Sequence, residues 1–329
     1  MSRWSDTLTI TVLSVVCFGQ SIPPEQAIRA KRWDATHGTL FLGLGAVDRT
    51  SRPIRSYQGD FQTTAEVAIL KDFPRAQKAF VIDATAGPES SSILSVVLDF
   101  GSKALRHVIL TYDSAGVLRS VLDTAPFVAL AITADEKGNV FVLGDKLLGE
   151  ETDNKPYPLL REYDAGGALI GQSLYSSSFR EGPRAVGPGN GRDAIYPVLS
   201  LHNGELYIYA PVENEFLVCT TSGAVVRREP LGKIRAKIAA ADKVEFAGIH
   251  QVAFIDESHL VIDLEEYPSG PQLMMPAKAY LVNLDTQQYK PLAFPPGAQF
   301  VGVKDHQLVA LNPSPDKHPL LKAYNIPGD

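Results

Sequence analysis

The sequence predicts an all-β fold assembled from a repeated four-stranded unit. A short hairpin motif recurs along the chain at intervals of roughly fifty residues. A second apolar hairpin precedes each copy of the first. The 329 residues are 45% hydrophobic, which is enough chain and enough apolar side chain for one large β-domain with a real core.

The N-terminus has the features of an export signal. Arg3 precedes an uncharged apolar run at residues 8–18, and Gly19 completes a small-x-small pattern that predicts cleavage after it. The alternative is a first β-strand, which the β-branched residues 9–12 favour. We expect a signal peptide at 1–19, a leader segment at 20–37 and a single domain at 38–329. The protein is then periplasmic or secreted.

The mature chain predicted in this way has two further properties. The apolar run is too short to span a bilayer as a helix, so no integral membrane span is expected after cleavage. Cleavage also removes Cys17 and leaves Cys219 as the remaining cysteine, which excludes an intrachain disulfide.

The recurring motif reads Tyr-Asp-x-x-Gly at 112–116 and 163–167, and weaker copies begin at Cys219, Leu284 and Tyr324. Asp opens a hairpin turn through its own side-chain hydrogen bond, and Gly takes the position with positive φ. The Tyr position is expected to face a neighbouring unit, so Cys219 is interpreted as a buried packing residue and not as a nucleophile. The predicted turn residues are Asp113, Gly116, Asp164, Gly167, Gly223 and Gly328.

The second hairpin is an apolar strand, a polar turn and another apolar strand, found at 131–145, 199–211, 253–265 and 301–313. Two hairpins make four antiparallel strands, which is the content of one blade of a β-propeller. The fully apolar first strand of each unit suits an innermost position around a central channel. Blades are predicted to end at Leu122, Leu174, Leu231 and Phe294.

The predicted ring has six blades, with five and seven as alternatives. The last blade has three strands within 297–325, which would leave an exposed edge. The β-prone segments 38–45 and 53–58 lie near the mature N-terminus. We expect one of them to close the ring by pairing with the last blade near Tyr324, and the remaining residues up to Phe73 to build a further blade with it.

The segment ADEKGNVFVLGD, residues 134–145, and the Tyr-Asp-x-x-Gly turn resemble the exported bacterial six-bladed β-propeller proteins with NHL-like repeats. The resemblance covers roughly residues 75–325 at the level of the blade pattern. It implies an architecture and leaves the function open, because this fold hosts binders, scaffolds, lactonases and lyases.

The long connections predict where a binding face lies. Residues 145–157, 175–193, 231–248 and 265–278 fall on one face of such a ring, and loops beyond about a dozen residues are usually functional or disordered. The segments 145–157 and 265–278 carry acidic residues, and the segments 175–193 and 231–248 carry basic residues. The segment 265–278 also carries an apolar group. The predicted ligand or partner residues are Glu150, Glu151, Asp153, Arg180, Arg184, Arg192, Lys233, Arg235, Glu265, Glu266, Tyr267, Met274 and Met275.

The composition and motifs favour a binding or scaffold protein over an enzyme. The net charge of −6 gives no general attraction to nucleic acid. The sequence contains none of the motifs HExxH, GxSxG, CxxC or the Walker loop. We expect a monomer that binds a protein, peptide or glycan. The alternatives are a metal-dependent, lactonase-like hydrolase or lyase, and a structural component of the envelope.

No cofactor is predicted, although calcium is an alternative at 145–154. That segment has oxygen ligands without the spacing of an EF-hand. His202, His259 and His306 all lie in turns between the first two strands of a blade. They are expected to be exposed turn residues and not a metal-binding ring.

Overall fold

The computed structural model describes residues 31–58, 62–101, 104–146, 156–180, 197–242, 246–267, 278–296, 298–312 and 320–326. These residues form six antiparallel sheets that follow one another along the chain. The sheets are the blades of a ring around a central channel, so the protein is an all-β, six-bladed β-propeller. The predicted fold class and number of blades are confirmed.

Blade 1 is built from the N-terminal part of the described chain. Its strands are β1 (Lys31–Asp34), β2 (Thr39–Leu42), β4 (Ile54–Gln58) and β5 (Gln62–Val67). Between β2 and β4 the chain forms β3 (Gly45–Val47), which joins the sheet of blade 2. This blade begins at Lys31, within the segment that the sequence pattern assigned to a leader.

Blades 2 and 3 contain the two strong copies of the motif. After the short helix α1 (Ile69–Asp72), blade 2 consists of β6 (Lys78–Ala86), β7 (Ser92–Asp99), β8 (Leu105–Tyr112) and β9 (Leu118–Asp123). Blade 3 consists of β10 (Phe127–Ala134), β11 (Val140–Lys146), β12 (Pro158–Tyr163) and β13 (Leu169–Tyr175). Short 3₁₀ turns occur at Pro88–Ser90 and Ser176–Ser178.

Blades 4, 5 and 6 complete the ring. Blade 4 consists of β14 (Val198–His202), β15 (Glu205–Ala210), β16 (Glu215–Thr220) and β17 (Val225–Pro230), and helix α2 (Gly232–Asp242) follows it. Blade 5 consists of β18 (Phe246–Phe254), β19 (His259–Tyr267), β20 (Lys278–Asn283) and β21 (Gln288–Pro291). In blade 6 the described residues form β22 (Gln299–Lys304), β23 (Gln307–Asn312) and β24 (Leu320–Asn325).

The first strand of each blade is innermost, as its apolar composition predicts. Strand β6 contacts β1 and β10, β10 contacts β14, and β22 contacts β18 and β1. Four of these inner strands carry a β-bulge, at Val81/Asp83, Ala129/Ala131, Ile249/Gln251 and Phe300/Gly302. A bulge redirects the side chains that follow it, and here it sets which residues reach the adjacent blade.

The hydrophobic core lies between the blades. The buried apolar side chains of the described residues divide into six clusters, and each cluster joins two adjacent blades. The Tyr position of the motif takes part in this packing: Tyr112, Tyr163 and Cys219 are each buried in the cluster shared with the preceding blade. The predicted role of that position is therefore confirmed.

The hairpin turns have the predicted chemistry. The Oδ1 atom of Asp113 accepts hydrogen bonds from the backbone N–H groups of Ala115 and Val117, at 3.0 and 2.9 Å. Asp164 holds its turn in the same way. Gly116, Gly167 and Gly223 have φ values of +73°, +85° and +82°. Gly328 lies outside the described residues.

The N-terminal part of the chain closes the ring, but not by the expected strand pairing. Strands β2 and β4 pair with each other and with β1 and β5, so segment 38–58 completes its own blade and does not join β24. Closure comes from the inner strand instead. The indole Nε1 of Trp33 donates a hydrogen bond to the Val303 carbonyl at 3.1 Å, and the ring packs against Gly302 of β22.

Candidate functional site

The connections between strands are distributed unevenly over the two faces of the ring. Turns from the first to the second strand, and from the third to the fourth, are short in all of the described blades. The long connections join second to third strands, or an outer strand to the next blade. Because the strands alternate in direction, both kinds of long connection emerge on one side. We call this side the long-connection face and the opposite side the short-turn face.

Helix α2 replaces an expected irregular loop on the long-connection face. Its sequence, KIRAKIAAAD after Gly232, is rich in strong helix formers. Ile234 and Ile238 are four residues apart, so they share one side of the helix and are fully buried between blades 4 and 5. The predicted residues Lys233 and Arg235 lie on this helix, with Lys233 exposed and Arg235 half-buried.

Both ends of helix α2 are anchored to the blades. At its start, the Leu231 N–H donates to the Asn214 carbonyl at 2.7 Å. At its end, the Asp242 carboxylate accepts a hydrogen bond from the Tyr280 hydroxyl at 2.5 Å and lies 2.9 Å from the Lys278 ammonium. The helix therefore presents its exposed lysines from a fixed support.

Arg180 is exposed on the same face and also follows a fixed segment. Phe179 is buried, and the guanidinium of Arg228 lies over its ring. Arg228 also donates to the Ser178 carbonyl at 2.7 Å. The segment before Arg180 is thus held against the outer strand of blade 4.

The other predicted partner residues divide into two groups. Glu265, Glu266 and Tyr267 belong to the end of β19 and pair with β18, so they are strand residues and not loop residues as expected. The remaining ones lie outside the described residues: Glu150, Glu151, Asp153, Arg184, Arg192, Met274 and Met275. Of the predicted residues, the structure therefore describes Arg180, Lys233 and Arg235 on connections and Glu265, Glu266 and Tyr267 on a strand.

A charged cluster inside the channel was not singled out from the sequence. Arg32 of β1 lies with its Nε 2.8 Å from Oδ1 of Asp83 on β6, an ion pair in which both side chains are largely buried. Arg32 Nη2 donates to the Leu199 carbonyl at 2.9 Å, and Asp83 accepts from the Ile132 N–H at 2.8 Å. These contacts connect the inner strands of blades 1 to 4.

A second carboxylate lies at the end of β1. Asp34 Oδ2 accepts hydrogen bonds from the Thr85 hydroxyl at 2.9 Å and the Ala86 N–H at 2.8 Å, and lies 2.9 Å from His37 Nδ1. The turn that follows β1 reaches across the channel, because the Thr36 hydroxyl donates to the Leu201 carbonyl at 2.9 Å. The cluster therefore cross-links the channel at the short-turn face.

The environment of the cluster shifts the pKa values of its titratable groups. Burial by itself raises the pKa of Asp34, but the hydrogen bond and charge of His37 and the Ala86 and Thr85 donors outweigh it, so the pKa is lowered. Burial lowers the pKa of His37, yet Asp34 overcomes this effect and the pKa is raised. Burial raises the pKa of Asp83 despite the adjacent Arg32. Asp34 and His37 thus favour their charged forms.

The contacts of the channel cluster indicate a structural role, in which charged side chains link the inner strands of neighbouring blades. A histidine held by a carboxylate through Nδ1 has the orientation of a general base, and His37 Nε2 is a buried atom without a hydrogen-bond partner in the described structure. The described contacts of Arg32, Asp34 and Asp83, however, run between inner strands. A charged residue within an apolar β-prone stretch, as in FVIDATA, is the sequence signal that could have identified Asp83; KRWD, which carries Arg32 and Asp34, lies in the segment that was predicted to be a leader.

The turn histidines do not converge. His202 and His306 are exposed, whereas His259 is half-buried beside Asp256. His202 is the last residue of β14 and His259 the first of β19, so of the three only His306 lies in the turn itself. Within the described ranges, no group of three or more His, Cys, Asp or Glu side chains is arranged to hold a metal ion. Cys219 is fully buried, and burial raises the pKa of its thiol to about 11, which agrees with a packing role.

Comparison with known proteins identifies the architecture. No family model matches the chain, and no curated protein matches it. A GH74 xyloglucanase from Xanthomonas campestris is 12% identical with a TM-score of 0.51, over 91% of this chain and 44% of that one. This chain therefore spans less than half of the xyloglucanase. The likeness is one of fold alone.

Two solved structures from Bacteroides are also similar. A member of the DUF4221 family from Bacteroides vulgatus is 11% identical with a TM-score of 0.48, over 90% of this chain and 93% of that one. A protein of unknown function from Bacteroides caccae is 13% identical with a TM-score of 0.40, over 77% of this chain and 76% of that one.

No helix among the described residues is long and apolar enough to cross a membrane.

Proposed function

We propose that this protein is an exported binding or scaffold propeller that holds a protein, peptide or glycan at its long-connection face. The observation that carries the proposal is the one-sided distribution of connections. Connections on the short-turn face are tight reversals of the chain, whereas those opposite are long enough to carry an extended binding surface.

The rigidity of the support favours binding by a preformed face. Helix α2 and the segment before Arg180 are both fixed by buried side chains and by hydrogen bonds to neighbouring strands. The backbone that presents these basic side chains is already ordered, so association costs side-chain freedom but little backbone freedom, which lowers its entropic cost. Lys233, Lys237 and Arg180 therefore suit an anionic group on the partner.

Site-specific photo-cross-linking in the native host tests the binding face. A photoreactive phenylalanine analogue is placed at Lys233 or Lys237, and matched controls carry it at the exposed short-turn residues Ser114 or Ser222. We expect the same partner to be captured from both helix positions and from neither control. Equal capture from the two faces, or capture from the controls alone, would overturn the proposal.

Export is tested separately. The apolar run at residues 8–18 followed by Gly19 supports cleavage at that point. N-terminal sequencing of the protein from its native host is expected to show a mature chain that begins at Gln20. A chain that still begins at Met1 or Ser2 contradicts export while leaving the binding face untouched.

A further inference from the structure

A groove opens between blades 2 and 3 on the short-turn face, opposite the proposed binding face. Its volume is about 330 Å³, at the lower end of the range of roughly 300–1,000 Å³ for small-molecule sites. Its floor is apolar and formed by Ile93, Ile109, Leu122, Val140 and the ring of Tyr163.

The groove exists because the chain has small side chains where another blade interface has aromatic ones. Between blades 4 and 5, the rings of Tyr207, Phe216 and Phe254 fill the wedge, and the centroids of Tyr207 and Phe254 are 3.9 Å apart. Strand register gives the equivalent positions, since Ser92 pairs with Tyr112 as Leu206 pairs with Cys219.

Counted from those pairs, Ile93 corresponds to Tyr207 and Ile109 to Phe216. Ala134 corresponds to Phe254, because each forms the last pair of its inner hairpin. Two isoleucines and an alanine thus replace three aromatic residues, and the groove lies above the two isoleucines.

The rim of the groove is charged. Glu89 and Asp164 contribute carboxylates, and Lys137 contributes the single ammonium among the residues that line it. Lys137 follows Asp135 and Glu136 in the same turn, so negative charge is in excess around it. An apolar floor, an aromatic ring and an acidic rim are complementary to a cation with an apolar body.

Glu89 is held at the rim by a constrained turn. Glu89 and Ser90 both have left-handed backbone conformations, with φ of 56° and 59°. The Gly87 N–H donates to the Ser91 carbonyl at 2.9 Å, and the Ser91 N–H donates to the Pro88 carbonyl at 3.0 Å. The Ser90 hydroxyl donates to Gln58 of blade 1 at 3.2 Å. Sparsely populated conformations of this kind persist only where the surroundings fix them.

We propose that the groove between blades 2 and 3 is a second binding site, which takes a small organic cation with an apolar or aromatic body. Its apolar part fills the space above Ile93 and Ile109, its charged head lies near Glu89 and Asp164, and Tyr163 contacts it through its ring. The site is independent of the long-connection face.

Ligand-observed saturation-transfer NMR with two matched probes tests the site. Benzyltrimethylammonium and phenylmethanesulfonate have the same apolar body and opposite charges. We expect the cation to bind to the full chain and the anion to bind weakly or not at all. Binding of the anion alone, or of neither probe, overturns the proposal.

Variants locate the binding. The substitutions Ile93→Tyr and Ile109→Phe introduce between blades 2 and 3 the aromatic side chains that occupy the equivalent positions between blades 4 and 5. We expect them to abolish cation binding without lowering the thermal midpoint. Val225→Phe adds a similar ring on the exposed outer strand of blade 4 and is expected to change nothing. Cation binding that survives the filled groove would show that the probe lies elsewhere.

Charge variants test the assignment of the head group. Glu89→Gln is expected to weaken cation binding about two- to fivefold, as for an exposed charge pair, and Lys137→Ala is expected to strengthen it. Equal responses to the two substitutions, or responses of the opposite sign, contradict an acidic recognition site.

Discussion

At the scale of single residues, the hairpin glycines have one backbone conformation and different surroundings. A Cβ atom on Gly116 would lie 2.2 Å from the Glu66 carbonyl oxygen of blade 1, whereas one on Gly167 would lie 3.8 Å from the Leu122 side chain. Both glycines need positive φ, so both positions are strained for any other residue. Of these two glycines, Gly116 is the one that also permits a close approach of two blades.

This contrast predicts different costs for the same substitution. Gly167→Ala is expected to lower the free energy of unfolding by about 1–2 kcal/mol, the strain of a left-handed alanine. Gly116→Ala is expected to lose a further ~1–3 kcal/mol, because the methyl group forces the blades apart. Urea unfolding of the two variants measures the difference, and equal losses would contradict the packing argument.

The Asp34–His37 pair predicts a pH dependence of stability. The raised pKa of His37 contributes stability below its ordinary value of 6.5, which is lost as pH rises through the folded value. The lowered pKa of Asp34 contributes stability above its ordinary value of 3.8, which is lost as pH falls through the folded value. Both contributions are present together in mildly acidic solution.

The variant His37→Gln isolates that contribution. We expect it to reduce the free energy of unfolding by about 1–3 kcal/mol near pH 5–6, the value of a hydrogen bond to a charged group, and by less near pH 9. The buried side chains of Asp83 and His107 also have shifted pKa values. They are present in the wild type and in the variant, so their effects largely cancel in the difference between the two thermal midpoints. A difference that is independent of pH would refute the charged pair.

At the scale of elements, helix α2 shows how a connection becomes part of the core. Its apolar side completes the interface of blades 4 and 5, and its polar side carries the lysines of the proposed binding face. One helix therefore both stabilises the interface between the blades and carries the lysines of the proposed binding face. A change on the buried side is expected to affect stability, and a change on the exposed side to affect binding alone.

Ile238→Ala tests that division. The side chain is fully buried, so its truncation is expected to cost about 2–5 kcal/mol in the free energy of unfolding. Lys237→Ala, at the adjacent exposed position, is expected to change it by less than about 0.5 kcal/mol. Equal effects in chemical denaturation would mean that the helix does not pack as described.

At the scale of the whole molecule, the interface that closes the ring contains a close contact between one aromatic residue and one glycine. A Cβ atom on Gly302 would lie 2.0 Å from Cδ1 of Trp33, so only glycine leaves room for the indole at this position of β22. The equivalent bulge positions of blades 2 and 5 instead extend a side chain to the next inner strand: Asp83 accepts from Ile132, and Gln251 donates to Val301. In blade 6 this position is Gly302, which has no side chain to extend and instead makes room for Trp33 of blade 1.

A double-mutant cycle tests the closure. Gly302→Ala is expected to destabilise the wild-type chain strongly, and to cost much less when Trp33→Ala has already removed the ring. The coupling between the two substitutions is expected to exceed about 1 kcal/mol. Additive effects in thermal unfolding would show that the contact does not close the ring.

The sequence by itself determined the repeat, its hairpin chemistry and the assignment of connections to faces. Those features are local: an aspartate binds its own turn, a glycine supplies positive φ, and alternating apolar residues form paired strands. The blade ends and the burial of Tyr112 and Cys219 followed from the same short-range rules. Helix α2 was not predicted, although its segment is rich in strong helix formers and its two isoleucines are four residues apart. Tertiary packing decides that those isoleucines are buried, because blades 4 and 5 supply their partner.

The tertiary structure alone decided the closure, the channel cluster and the groove. Trp33 and Val303 are 270 positions apart, and Arg32 and Leu199 are 167 apart, so no local pattern connects them. The groove is a difference between interfaces of equal topology, visible only when Ile93 and Ile109 are placed beside Tyr207 and Phe216. Each depends on which side chains the ring brings together, because packing between blades is set by volume and contact and not by sequence spacing.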